Sequence, residues 1–189
     1  NIGAKPVMSL HLTPPKLYNP TNDVWFNIVG PTGLCVATSS SGNGRLTQQK
    51  CGNDPKVVWK KELKGNKFLI INKNGKVFDN SGARNRNGNP ILSYSKHGKA
   101  NQLWTLNRQS NGKYLIKESQ FNKCFDDTGR KGINQKYHIW NCSSRNKNQW
   151  FVFKTVTSVP NFSFTHPKYR IPDGWFNIVG PTGLCVATS

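Results

Sequence analysis

Short apolar runs, separated by clusters of glycine, asparagine and serine, recur along most of this chain. No window of 12 residues has the apolar spacing of three and four that an amphipathic helix requires. Brief runs bounded by turn-forming residues are typical of β-strands. The runs are 26–29, 34–36, 68–71, 77–78, 91–92, 103–106, 114–116, 124–125, 138–140 and 150–153. The pattern predicts an all-β chain.

The runs have a shorter period of their own. Each subunit opens with a hydrophobic strand, turns into a second strand, crosses a polar loop and closes on a tryptophan. The closing residues, Trp59, Trp104 and Trp150, lie 45 and 46 residues apart. Because a four-strand unit cannot bury its apolar face alone, three such units predict a closed barrel with pseudo-threefold symmetry, the β-trefoil.

A longer repeat sets the domain organisation. The fifteen residues 25–39, WFNIVGPTGLCVATS, recur letter for letter at 175–189, and the proline-containing segments before the two copies also correspond. Identical neighbours of this kind indicate a tandem array. We therefore expect a linker at 1–24, a complete β-trefoil at 25–154, a second linker at 155–174 and the first strands of the next repeat at 175–189.

The charge of the chain is strongly positive. Its 27 lysines and arginines against 8 acidic residues give a formal charge of +19, which suits an anionic partner. The basic residues are dispersed, however, and no nucleic-acid-binding motif accompanies them. We expect a solvated basic surface and no specific nucleic-acid partner. No segment approaches the roughly 18 apolar residues of a transmembrane helix, so none is expected.

Cysteine spacing bears on the compartment. Cys35 and Cys51 lie 16 residues apart, Cys124 and Cys142 lie 18 apart, and Cys185 is the repeat equivalent of Cys35. Two similar loops closed by similar pairs suggest disulfides and hence a secreted protein, extracellular or at the cell surface. Two pairs of reduced core cysteines are the alternative. The short Cys-x-x-Cys spacing of metal sites is absent, so no metal is expected.

The segment 25–154 resembles the ricin B-type (QxW) β-trefoil lectins. The resemblance rests on Gly-Leu-Cys-Val at 33–36, Asn-Gly-Asn-Pro-Ile at 87–91, Asn-Gln-Leu-Trp at 101–104 and Cys-Phe-Asp at 124–126. It implies disulfides Cys35–Cys51 and Cys124–Cys142, and sugar binding by individual subunits. In such a site an aspartate accepts sugar hydroxyls, an aromatic ring packs on the sugar and an asparagine hydrogen-bonds the remaining hydroxyl.

The first two subunits differ in how well they match the site residues that the resemblance implies. The first has Ala37 at the aspartate position and Gln49 near the aromatic position, so we expect no sugar site there. The second matches at its implied site residues, Asp79, Tyr94, Asn101 and Gln102, but Leu92 departs from the family's usual glutamine. We expect the Asp79 side chain to lie at the surface. The resemblance places Gln102 in the site, although a buried amide that holds the hairpin is the favoured interpretation for it.

The third subunit matches in part. Its implied site residues are Asp126, His138, Trp140 and Asn148. The closing segment 147–150 is one step out of register with the motif. Either Asn148 takes the place of the glutamine, or a gap of one residue restores the site. His138 is able to hydrogen-bond a ligand, although a lone histidine on a strand is more often only a surface residue.

The sequence bears on three classes of function. The resemblance implies glycan binding, with galactose-type or amino sugars as ligands, weak at each site and strengthened by tandem repetition. The alternative is a purely structural subunit of an extracellular filament, sheath or tube, whose partners are neighbouring copies of the repeat and whose sugar sites are degenerate. An enzyme is not expected, because no paired carboxylates or nucleophile motif appear. No cofactor is expected.

Overall fold

The structure is a computed structural model, and it describes residues 24–39 and 43–156. The chain divides into two units, Asn1–Ser158 and Val159–Ser189, and the described residues all belong to the first unit. The repeat copy at 175–189, Cys185 and nearly all of both predicted linkers lie outside the described residues. The tandem array and the domain boundaries therefore stay predictions.

The described residues form thirteen β-strands, and no α-helix occurs among them. The strands are β1 (Phe26–Val29), β2 (Cys35–Ala37), β3 (Gly44–Arg45), β4 (Thr47–Gln49), β5 (Trp59–Lys64), β6 (Lys67–Asn72), β7 (Lys76–Asn80), β8 (Asn89–Ser95), β9 (Trp104–Arg108), β10 (Tyr114–Glu118), β11 (Lys123–Asp126), β12 (His138–Asn141) and β13 (Val152–Thr155). Three 3-10 helices, Ser81–Ala83, Ala100–Gln102 and Lys147–Gln149, lie in the loops. The predicted all-β class is confirmed.

Six strands close a barrel. β1 pairs with β5 and β13, β5 with β6, β6 with β9, and β9 with β10. A bridge between Tyr114 and Phe151 completes the ring. The hairpins β2–β4, β7–β8 and β11–β12 cap one end of the barrel. Three subunits of four strands, with the short β3 as an addition, make the predicted β-trefoil.

The core repeats the threefold pattern, with one departure from the prediction. Trp59 pairs with Phe26, Trp104 pairs with Phe68, and in the third subunit Phe151, not Trp150, pairs with Tyr114. The residues that close the three subunits are therefore Trp59, Trp104 and Phe151, and all three are fully buried. Neighbouring residues of a strand point to opposite faces, so only one of the pair 150 and 151 can enter the barrel.

Trp150 lies on the outside of the barrel. Its ring is partly exposed, its Nε1 donates to the Ser144 carbonyl at 3.1 Å, and Lys113 Nζ lies 5.4 Å from the ring centroid. By contrast, Nε1 of Trp59 and of Trp104 donates to a buried strand carbonyl at 2.8 and 3.2 Å. The prediction that Trp150 closes the third subunit is wrong. The 46-residue spacing leads to a tryptophan that lies one residue before the core position.

Both predicted disulfides are present. Cys35–Cys51 and Cys124–Cys142 span Cα–Cα distances of 5.0 and 4.9 Å. Each bond ties the second strand of a subunit to the chain just after the third strand. In the second subunit, the strand register places Val77 at the position that Cys35 and Cys124 hold in the other two subunits. That hairpin is held without a covalent link.

Candidate functional site

The strand register places the site positions of the three subunits at equivalent points near the end of each subunit's second strand. The pairs at the aspartate position are Ala37 with Thr47, Asp79 with Leu92, and Asp126 with His138. The pairs at the aromatic position are Cys35 with Gln49, Val77 with Tyr94, and Cys124 with Trp140. The structure therefore brings the sequence-predicted residues together in the second and third subunits, at matching positions.

In the second subunit Asp79 is the centre of a polar cluster. Its Oδ2 accepts hydrogen bonds from Asn101 Nδ2 at 3.0 Å and Gln102 Nε2 at 2.8 Å. His97 Nε2 lies 3.4 Å from the same oxygen. Because all three groups approach Oδ2, Oδ1 has no donor among the described residues and remains able to accept from a ligand hydroxyl.

The expectation that the Asp79 side chain lies at the surface is wrong. Asp79 is only 4 % exposed, because the segment from His97 to Gln102 folds over it. Gln102 holds this segment: it is fully buried, its Oε1 accepts from the backbone N–H of His97 and Gly98 at 2.9 Å, and its Nε2 also donates to the Ser95 carbonyl. These bonds support the interpretation of Gln102 as a structural amide.

Two rings form the solvent side of the second-subunit site. Tyr94 is 36 % exposed, and its ring centroid lies 6.3 Å from that of His97 in an edge-to-face arrangement. His97 was not identified from the sequence. A single histidine in a polar loop gives no signal of its position, since only the fold of the segment before Gln102 brings it to Asp79.

In the third subunit Asp126 lies on the floor of an open pocket of about 280 Å³. The pocket is lined by Asp126, Thr128, His138, Trp140, Asn146 and Asn148. Asp126 is 2 % exposed, whereas Trp140 is 42 % exposed and offers a free ring surface. The ring centroids of His138 and Trp140 are 5.4 Å apart, so the two side chains form one wall.

Asp126 accepts hydrogen bonds at both oxygens. Oδ1 is 3.2 Å from His138 Nε2 and 2.9 Å from the Thr128 backbone nitrogen. Oδ2 accepts from Asn146 Nδ2 at 2.8 Å and Gln149 Nε2 at 3.1 Å. His138 is thus bound to the carboxylate, and the interpretation of this histidine as only a surface residue does not describe its position.

The register of the third closing segment follows from Phe151. With Phe151 in the core, Asn148 and Gln149 align with Asn101 and Gln102, so the gap of one residue is the correct alternative. Gln149 reproduces the bonds of Gln102: it binds the aspartate through Nε2 and accepts from a loop N–H through Oε1.

Asn148 does not take the role of Asn101. Its side chain lies beside Gly129, within 2.9 Å of where a Cβ would stand, and it lines the pocket. Asn146 donates to the carboxylate instead. Asn146 was missed from the sequence because it precedes the 3-10 helix Lys147–Gln149, outside the motif.

The two carboxylates have opposite pKa shifts. Burial raises the pKa of Asp79, and the bonds from Gln102, Asn101 and His97 offset this only in part. Burial also acts to raise the pKa of Asp126, but the bonds from His138, the Thr128 backbone and Gln149 outweigh it, and the pKa is lowered. Asp126 is therefore held ionised more firmly than Asp79.

The first subunit lacks this arrangement, in line with the sequence. Ala37 and Gln49 replace the aspartate and the aromatic residue. A pocket of about 740 Å³ lies nearby, lined in part by Thr38, Gln49, Asp54 and Ile133, but it contains no aromatic ring.

Within 24–39 and 43–156, no three His, Cys, Asp or Glu side chains are grouped so that they could hold a metal ion. In the same residues no helix has the length and apolar character needed to cross a membrane.

Comparison with known proteins identifies the fold. The family described as "Ricin-type beta-trefoil lectin domain-like" matches residues 63–135. No curated protein sequence matches the chain. A designed threefold-symmetric protein, ThreeFoil, is similar with a TM-score of 0.65 and 19 % identity, covering 70 % of this chain and 99 % of its own.

Two fungal lectins are similar at the same level. A ricin B-like lectin of Macrolepiota procera, solved in complex with lactose, has a TM-score of 0.64 and 12 % identity, covering 72 % of this chain and 99 % of its own. The Polyporus squamosus lectin, solved with Neu5Aca2-6Galb1-4GlcNAc, has a TM-score of 0.63 and 19 % identity; 72 % of this chain matches 50 % of that lectin. The chain also matches parts of two glycosidases, of whose length it spans 33 % and 31 %.

Proposed function

We propose that the described domain, a β-trefoil whose residues 63–135 match the ricin-type lectin family, binds carbohydrate through its second and third subunits. One observation carries the proposal. A buried carboxylate with amide and histidine partners stands beside a half-exposed aromatic ring at equivalent positions of two subunits, around Asp79 with Tyr94 and around Asp126 with Trp140. The same positions of the first subunit hold neither group.

This arrangement suits a sugar ring. The flat apolar face of a pyranose packs on an aromatic surface, and its hydroxyls donate to a carboxylate whose negative charge strengthens the bond. Burial and amide contacts fix the carboxylate before the ligand arrives, so little order is lost on binding. The open, shallow shape of the third-subunit pocket fits a terminal sugar with weak affinity at a single site.

Galactose-type sugars are the ligand class that we propose to test first, with amino sugars second. The Macrolepiota lectin was solved with lactose and the Polyporus lectin with a sialylated galactoside. We further propose a secreted protein, since two disulfides are suited to an oxidising compartment. The lectin fold itself needs no catalytic activity, and we propose none for this domain.

Glycan-array binding and titration calorimetry with lactose test the function. We expect binding of the unaltered chain, partial loss with Trp140→Ala or with Tyr94→Ala, and complete loss when both are combined. Both rings are exposed, so these variants should keep the native circular dichroism spectrum. Gln49→Ala, at the same register position of the first subunit, is the matched control and should bind as before. A chain that binds no glycan before mutation contradicts the proposal.

A structural role is the second candidate. The fifteen-residue identity between 25–39 and 175–189 favours it, because neighbouring domains that make the same contact repeatedly require a uniform surface. In that case copies of the repeat assemble into a filament, sheath or tube. Electron microscopy of a chain with several repeats should show objects of regular spacing, which disappear when linker aromatics such as Phe164 and Tyr169 are changed to serine.

A further inference from the structure

A second pocket adjoins the third-subunit site. It has a volume of about 530 Å³ and is lined by Arg45, Thr128, Arg130, Asn134, Gln135, Lys136 and His138. Thr128 and His138 also line the pocket above Asp126. The two pockets therefore share these side chains as a common wall, and a ligand seated on one side of His138 can extend to the other side.

The lining of this second pocket, named here the basic pocket, contains three cations and no carboxylate. Asp126 contacts His138 from behind and is not part of the lining. Asp127 is fully buried and is not part of the lining; its Oδ1 accepts from the Gly129 backbone. Neither acid neutralises the cations directly.

Arg45 is the best fixed of the three cations. It is partly buried on β3, and its Nη2 donates to the Tyr137 carbonyl at 3.4 Å. Its Nε is buried without a hydrogen-bond partner among the described residues. Burial lowers the pKa of Arg45. Arg45 also lines the pocket, so its guanidinium group can donate to an anion there.

The loop that carries the other two cations is held in place by Gln48 of β4. This side chain is fully buried, and its Nε2 donates to the Arg130 carbonyl at 3.0 Å. The Gln48 backbone exchanges two further bonds of 2.8 Å with Asn134 and Gln135. Thr47 forms a bridge with Lys136. The backbone at Arg130 and Lys136 is thus positioned before any ligand binds.

We propose that the basic pocket is an anion subsite that makes the third-subunit site selective for acidic saccharides. A sugar ring against Asp126 and Trp140 places a carboxylate or sulfate substituent among Arg45, Arg130 and Lys136. The guanidinium groups donate paired N–H bonds to the planar or tetrahedral oxyanion. This inference rests on the proposed function of the third-subunit site and adds the class of ligand.

The test compares neutral and acidic ligands at one site. Calorimetry or NMR titration uses the full chain with Asp79→Asn, which isolates the third-subunit site, against lactose, 3′-sulfolactose and sialyllactose at 150 mM salt. We expect at least one acidic ligand to bind about tenfold or more tightly than lactose. A preference for the sulfated or the sialylated form identifies the oxyanion.

Three further variants locate the preference. Arg45→Gln and Arg130→Gln should each reduce it severalfold while lactose binding stays unchanged. Arg108→Gln removes one exposed charge on β9, outside the pocket lining, and should leave the preference intact. Since Arg130 is exposed, its variant keeps the test valid even if Arg45→Gln fails to fold.

Equal affinity for lactose and for both acidic ligands overturns the anion subsite and leaves the proposed function standing. Absence of binding by all three ligands overturns both. If the acidic ligands bind equally well after Trp140→Ala, the charge acts without the sugar site, and the joint site is overturned. An equal loss with Arg108→Gln shows that overall charge is responsible and also overturns the proposal.

Discussion

The carboxylates of Asp79 and Asp126 stand at equivalent positions but have pKa shifts in opposite directions. Asp79 therefore takes up its proton at a higher pH than Asp126 when the solution is acidified. A protonated carboxyl is a weaker acceptor for a sugar hydroxyl. We expect the second-subunit site to lose affinity first as the pH falls from 7 towards 4.

Single-site variants make this measurable. Asp126→Asn leaves only the second-subunit site, and Asp79→Asn leaves only the third, so lactose titrations of each across the pH range give two separate midpoints. Circular dichroism at each pH confirms that the domain stays folded. Coincident midpoints, or loss of the third-subunit site first, contradict the assignment of the shifts.

Asp127 gives a prediction about stability. Burial and the neighbouring Asp126 charge raise its pKa to about 6, while its Oδ2 is buried without a hydrogen-bond partner among the described residues. The native state thus holds this proton more tightly than the unfolded chain, and its contribution to stability falls as the pH rises from about 4 to about 6.

Asp127→Asn removes the charge and keeps an acceptor for the Gly129 N–H. We expect the free energy of unfolding at pH 7 to rise by about 1 to 3 kcal/mol, the lower value allowing for the unpaired amide nitrogen. Urea denaturation at pH 7 and at pH 4 measures this. The gain should fade at pH 4, where Asp127 of the unaltered chain is protonated, and a gain of equal size at both values contradicts the titration argument.

The third closing segment yields a prediction for one element. Phe151 is fully buried and packs near Phe125 and Tyr137, with centroid distances of 5.0 and 6.3 Å, whereas Trp150 is partly exposed. Phe151→Ala should destabilise the domain by about 3 to 5 kcal/mol, and Trp150→Ala by about 1 kcal/mol. Thermal or urea unfolding of the matched pair tests the order; the reverse order restores the tryptophan as the closing residue.

Hydrophobic runs predicted most strands because barrel and cap strands bury at least one face. They did not predict β3, β4 or β5. The sequence of β5, Trp-Lys-Lys-Glu-Leu-Lys, is mostly polar because only Trp59 of this strand is buried. β4 contributes only Gln48 to the interior, and that residue is needed for its hydrogen bonds. Strands of this kind form because neighbouring strands pair with them, so the hydrophobic pattern of their own sequence does not predict them.

The candidate site, like the fold, was predictable only in part. Asp79, Tyr94, Asp126 and Trp140 lie on strands whose register the threefold repeat determines, and the sequence identified all four. His97 and Asn146 come from loops that reach the carboxylates only through the folding of 3-10 turns. The basic pocket joins β3 of the first subunit to the loop 127–137 of the third, a contact between residues far apart in the chain that spacing does not reveal.

At the scale of the whole molecule, the three subunits keep the core and vary the surface. Trp59, Trp104 and Phe151 hold equivalent buried positions, while the equivalent surface positions differ completely between the first subunit and the other two. A fold held by its core tolerates this variation, so the number of active sites is independent of the symmetry of the barrel. The domain is therefore expected to be at most divalent for the proposed sites.

Tandem repetition then determines how strongly a chain holds a glycan surface. If the copy at 175–189 opens a further domain, a chain of two complete domains carries up to four proposed sites. Once one site is occupied, the linked sites meet neighbouring glycans at a high effective concentration. We expect half-maximal binding to a lactose-coated surface to require a concentration of the two-domain chain about 100-fold lower than that of a chain with one complete domain. Surface plasmon resonance at several ligand densities measures this difference.

The matched control is a two-domain chain in which Tyr94→Ala and Trp140→Ala inactivate one domain without changing its charge. This variant should bind like a single domain at every ligand density. The advantage of the intact two-domain chain should also shrink when glycans are spaced farther apart than the linker can span. If the chain with one inactive domain still binds the surface as strongly as the intact two-domain chain, contacts between protein copies, and not multiple sugar sites, are responsible for the tighter binding. The structural alternative requires that outcome.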